Sequence, residues 1–198
     1  MAATNKDWPR GFWPAKTKHG GPPQVSRYYT SGTATIYRGD IVIQTSGTLA
    51  ESGNLTRLTG TTDADRIAGV CQTFTTYGSA GASDGNPLAE IFVYDDLENT
   101  IFIAQCNSSA TTANTCLGDL HPVQAAWGIS VGSPTTAVHI STMEIATSAT
   151  VAWSNSVVRI IDRVEEPSNQ YGEGYLDVYC QIVRQVAAKT MSTVAVSS

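Results

Sequence analysis

Charge is scarce in this 198-residue chain: Asp, Glu, Lys and Arg make up 15% of it, against about 25% in ordinary soluble domains. The net charge is −5 at pH 7, and the bulk of the chain has no cluster of Lys and Arg. Phosphate contacts need such clusters, so nucleic acid is not an expected partner. No apolar run approaches the ~20 residues of a membrane-spanning helix. Residues 1–9 lack the apolar core of a secretory signal. The expectation is a protein made in the cytoplasm, with no membrane partner. Asn54-Leu55-Thr56 and Asn107-Ser108-Ser109 match the glycosylation sequon, but without a secretory route they read as turns. Helical periodicity is nearly absent too.

Motifs for catalysis are also missing. There is no G-x-S-x-G, H-E-x-x-H or G-x-x-x-x-G-K-[ST], and His19, His121 and His139 are scattered. The carboxylates at Asp63/Asp65 and Asp95/Asp96/Glu98 fall in turns and do not fit the twelve-residue EF-hand loop. The four cysteines, Cys71, Cys106, Cys116 and Cys180, include no C-x-x-C pair and no His at zinc spacing. Neither a metal nor another cofactor is expected, and the chain reads as a non-enzyme. Cys71 and Cys180 lie in apolar runs and read as small core residues. Cys106 and Cys116 border a Ser/Thr/Ala/Asn loop and are either free thiols or a disulfide across a hairpin.

What the chain does have is a first segment unlike the rest. Residues 1–30 hold Trp8-Pro9, Gly11-Phe12-Trp13-Pro14, Gly20-Gly21-Pro22-Pro23 and Tyr28-Tyr29. Lys6, Arg10, Lys16, Lys18 and Arg27 are opposed there only by Asp7, so the acidic excess lies entirely in the remainder. Proline and glycine bar a helix or a central strand, yet aromatics are the usual anchors of interfaces. The segment therefore reads as an extended arm that docks on another surface, most simply a neighbouring copy. Its expected contacts are Trp8, Arg10, Phe12, Trp13, Lys16, Lys18, Arg27, Tyr28 and Tyr29. The acidic rim formed by Asp162, Glu165 and Glu166 is the expected seat.

From residue 31 to 186 period-2 alternation dominates. Strands are expected at 35–38, 41–45, 67–75, 88–94, 100–105, 137–145, 156–164 and 174–186, with a turn at Gly39-Asp40 and a short helix within 115–129. In the last strand Leu176, Val178, Cys180 and Ile182 alternate with Tyr175, Asp177, Tyr179 and Gln181, giving one core face and one polar face. The pattern predicts a mainly β fold, a single β-barrel or β-sandwich-like domain with an extended N-terminal arm. Residues 187–198 read as a flexible tail. The body would be about 40 Å across, and a thirty-residue arm reaches at most about 100 Å, far enough to touch a neighbour.

Several segments together resemble the small β-rich decoration, cement or head-stabilising proteins of tailed-phage capsids. They are Gly11-Phe12-Trp13-Pro14, the Tyr28-Tyr29 end of the arm, Gly39-Asp40-Ile41-Val42, Ala68-Gly69-Val70 and Val93-Tyr94-Asp95-Asp96. Arg159-Ile160-Ile161, Pro167, Asn169, Tyr171-Gly172-Glu173 and Asp177-Val178 complete the set, which spans residues 11–186. The resemblance implies a non-enzymatic virion protein, often encoded beside the major capsid protein. Such a protein binds the outer capsid surface as a homo-oligomer, with a trimer favoured, and takes no cofactor. The two cysteines bordering residues 107–116 depart from that pattern. A rival reading is a carbohydrate-binding β-sandwich of a fibre or adhesin, supported by the aromatics and acidic turns. A hydrolase with an unrecognised site is the other rival, and it would lose turnover on His121→Ala or His139→Ala.

Overall fold

The computed structural model describes residues 7–30, 35–44, 54–59, 67–75, 89–107, 126–130, 139–146, 157–167, 169 and 174–183. Eleven strands follow in order: β1 (Trp13–Thr17), β2 (Ser26–Thr30), β3 (Ile41–Gln44), β4 (Asn54–Arg57), β5 (Ile67–Cys71) and β6 (Ala89–Tyr94), then β7 (Thr100–Gln105), β8 (Ala126–Ser130), β9 (Glu144–Ala146), β10 (Val158–Arg163) and β11 (Asp177–Ile182). Among the described residues there is no helix. The protein is mainly β, as its alternation predicts.

The strands form two layers. One is a six-stranded sheet in the order β1-β7-β11-β10-β8-β9, and the other is a closed barrel in the order β2-β4-β3-β5-β6. Pairing is antiparallel except between β2 and β4, whose parallel ladder closes the barrel. Side-chain alternation on β3 explains how one barrel serves two cores. Val42 points inward to join Ile36, Leu55, Cys71, Ile91 and Val93. Ile41 and Ile43 point outward and meet Phe102, Ala104, Val178 and Cys180 of the six-stranded sheet. A strand with apolar contacts on both sides must be apolar at every position, and β3 is buried from Ile41 to Ile43.

β11 has the expected alternation, with Val178, Cys180 and Ile182 buried. At β5, Val42 faces Gly69 where the register shifts. A Cβ on Gly69 would strike the Tyr94 carbonyl and the Val93 side chain, so this bulge requires glycine.

Three local expectations are corrected. Asn54-Leu55-Thr56 lies in β4 and is no turn, because Leu55 fills the barrel interior. Residues 126–130, placed partly in a short helix, form β8 and pair with β10 and β9. His139 does not alternate in a strand. It takes φ +54°, and its ring lies 3.9 Å from that of Phe74.

Residues 1–30 are expected as an extended arm that docks on another surface, most simply the body of a neighbouring copy; in this chain the arm meets its own body. Residues 7–30 belong to it. β1 pairs with β7 at the edge of the six-stranded sheet, and β2 sits in the barrel between β4 and β6. The exclusion of a central strand holds for β1, an edge, but not for β2, whose residues Ser26–Thr30 contain no proline or glycine and take neighbours on both sides. Proline is tolerated on an edge strand, β1 has no second neighbour among the described strands, and a register shift between Pro14 and Lys16 absorbs the irregularity. Residues 1–6 and the tail at 187–198 lie outside the described residues.

Candidate interaction surface

Residues 7–17, the strap formed by β1 and the segment before it, are seated where two glycines cross. Residues 37–40 make a turn in which the Asp40 amide donates to the Tyr37 carbonyl at 3.0 Å. Gly39 sits at its third position with φ +90°, where a type II turn needs glycine. Gly11, at φ +72°, lies against this turn: a Cβ there would come within 2.5 Å of both the Gly39 carbonyl oxygen and Ser141 Cβ. With both side chains absent the backbones touch. The Phe12 amide then donates to the Gly39 carbonyl at 2.9 Å, and the Phe12 ring enters the core between the layers.

Outside this knob the strap is held by polar and aromatic contacts. Arg10 Nη2 lies 2.7 Å from Asp177 Oδ2, and the Trp8 amide donates to Gln105 Oε1 at 2.9 Å. Trp13 Nε1 donates to the Arg10 carbonyl at 2.6 Å, while the Arg38 guanidinium lies 4.3 Å from the Trp13 ring centre. Lys16 Nζ stands 5.0 Å from the Tyr179 ring centre. Register explains the grouping: Trp13 faces Ile103, which faces Tyr179. The outer surface of three adjacent strands thus carries a band of aromatic and cationic side chains. Exposed apolar groups flank it, with Trp8 66% and Ile161 46% exposed.

Beneath the strap is a polar anchor. Asp40 is fully buried. It accepts hydrogen bonds from Ser141 Oγ at 2.6 Å and the Tyr37 amide at 2.8 Å, and it pairs with Arg57 Nε at 2.9 Å. Burial raises its pKa, and Arg57 and these hydrogen bonds work against the rise. Ser141 Oγ in turn accepts from the Met143 amide at 3.0 Å. One carboxylate therefore holds the Gly39 turn, β4 and the segment before β9 together. Near the start of the strap, burial reinforced by Asp7 pushes Glu144 up to about 7.

Of the expected contacts, Arg10, Phe12, Trp13 and Lys16 converge on the strap, but their seat is the chain's own body. Asp162, Glu165 and Glu166, the seat expected on a neighbouring copy, are exposed, and within the chain Arg10 pairs with Asp177. Trp8 is 66% exposed, and its amide donates to Gln105. Lys18 is exposed and donates its amide to the Asn99 carbonyl at 2.8 Å. Arg27 lies 3.7 Å from Glu90, both exposed. Tyr28 donates to Asp95 Oδ2 at 3.0 Å, and burial together with that carboxylate raises it to about 12. Tyr29 pairs through β2 with Asn54 and Glu90.

Sequence reasoning missed Asp40, Arg57 and Ser141. The Gly39-Asp40 turn was the available signal for the first, but its partners lie up to 101 residues away. Cys71 and Cys180 are buried as expected, and burial raises both thiols, Cys71 to about 11. His121 and Cys116 lie outside the described residues. Among those described, no group of His, Cys, Asp or Glu is placed to hold a metal ion, and no helix is long and apolar enough to cross a membrane. No protein-family model matches the chain, and no curated protein matches it.

Proposed function

We propose that this chain is a structural protein of a tailed-phage head: it binds the outer surface of the capsid and stabilises it through inter-subunit contacts. On this reading the chain is made in the host cytoplasm and works on the virion surface, with the major capsid protein as partner and further copies of itself beside it. It does no chemistry and carries no cofactor. The observation behind the proposal is the outer face of β1, β7 and β11, where Ile103 lies between the half-buried rings of Trp13 and Tyr179 and the exposed Arg38 and Lys16 stand over them. Trp, Tyr and Arg are the residues that concentrate binding energy at protein interfaces, and a shell that offers many linked sites multiplies modest single contacts.

The test is electron microscopy of shells assembled from the major capsid protein of the phage that carries this chain, with and without it. Added density on the outer surface, lost with Trp8→Ala/Tyr179→Ala, supports the proposal. Bare shells overturn it. Binding of the isolated protein to a glycan array with the same two residues required would move the assignment to the carbohydrate-binding reading.

A further inference from the structure

The connection between β1 and β2 differs from the rest of the strap. Lys18 through Gly21 are exposed, and Gly20 and Gly21 have φ +79° and +88°. A Cβ built on either would meet nothing within 4 Å. Its own polar contacts are mostly local, from Gly20 N–H to the Thr17 carbonyl at 3.4 Å and from Thr17 Oγ1 to the Gly21 carbonyl at 3.1 Å. Pro22-Pro23 then favours an extended course. The left-handed glycines are what turn the chain back, and nothing packs against them to hold them there.

The part beyond this hinge is bound as a separate ligand would be. Among the described residues β1 pairs only with β7, at the sheet edge, so its departure breaks one described ladder. Its partners lie far along the chain: Gly39, Gln105, Ser141, Asp177 and Tyr179. Covalent continuity through an unpacked hinge is what makes these contacts intramolecular.

We propose that residues 7–17 exchange between copies of this chain, so that β1 of one copy completes the six-stranded sheet of another with Phe12 in the same pocket. The occupant of the vacated seat is a second copy. Exchange deepens the capsid-surface reading and takes its setting from it, because a tethered strap competes with an effective concentration on the order of mM. Free copies close on themselves, and copies crowded on a lattice trade straps. The connector of residues 18–25 spans up to about 26 Å when extended, enough to bridge adjacent copies.

Lys16 and Ile101 are register partners, which provides a reporter that uses no capsid. Lys16→Cys chains and Ile101→Cys chains, differently tagged, are mixed at concentrations approaching mM and then oxidised. A disulfide joining the two tags is the expected product, with its yield rising at least tenfold between µM and mM. A disulfide confined to the double variant, with none between the single variants at any concentration, overturns exchange. Deleting Gly20 and Gly21 gives a second reading, since the shortened connector cannot turn back. The expected result is a folded protein of at least twice the monomer mass in light scattering, and a folded monomer with Phe12 still buried refutes the proposal. Bare shells together with a cross-chain disulfide would retire the capsid reading and leave exchange standing.

Discussion

On its inner side the strap gives Phe12 to the core between the layers and brings Gly11 against Gly39. On its outer side, a few ångströms away, the same residues present Arg10, Trp13 and Lys16 toward solvent. The inner contacts are dry and sterically exacting, and the outer ones share their energy with water. Inner residues should therefore decide whether the strap is seated, and outer residues should decide what the seated strap can bind.

The sharpest way to break this comparison is Phe12→Ala, which removes a fully buried ring and should cost about 3–5 kcal/mol in urea unfolding. Asp40→Ala belongs to the same class. It strands Arg57 and Ser141 beneath the strap, and loss of one partner of a buried ion pair costs about 3–5 kcal/mol. Either variant unfolding at the wild-type urea midpoint would mean that the strap is not integral to the fold.

Next in size comes Gly11→Ala, which puts a side chain at positive φ and against the Gly39 carbonyl. About 1–3 kcal/mol of lost stability is expected. Gly20→Ala also meets positive φ but open space, and it should cost no more than about 1–2 kcal/mol. Equal effects would remove the steric argument for the crossing.

Glu144 sharpens the comparison through pH. Its folded pKa of about 7 lies above its ordinary value of 4.5. The folded chain therefore holds a proton that the unfolded chain has released, and stability falls as pH rises from 4.5 to about 7. Because the side chain is half-exposed, the slope should stay well below the limit of ~1.4 kcal/mol per pH unit. Glu144→Gln should flatten this part of the profile, which urea midpoints across that range would measure.

The smallest effects belong to the outer pairs. Arg10→Ala should cost about 1 kcal/mol or less and Arg27→Ala less still, both shrinking with added salt. Either costing as much as Phe12→Ala would invert the comparison.

Strand content was legible because alternation survives wherever one face is buried. The 176–182 segment is the clearest case, and β7 was found from its β-branched and aromatic run. β4 was hidden because a single inward Leu55 between Asn54 and Thr56 has too little pattern to be told from a turn. The strap was half-legible: its residues stood out as anchors, but composition says that an aromatic beside glycine and proline is bound, not whose surface binds it. Asp40 and Arg57 show the same limit for polar residues, since their pairing is created by the β3–β4 ladder, in which Arg57 faces Val42, and no local pattern marks the two residues as partners.

The strap's partners also set the order of events as the chain is made. Residues 7–17 leave the ribosome well before their seat is complete, since Asp177 and Tyr179 follow some 160 residues later. At a synthesis rate of about 5–20 residues per second, the segment spends roughly ten to thirty seconds without a home. Neighbouring ribosomes on one message would hold several such segments close together through that interval, each open to a sister chain until its own seat is finished.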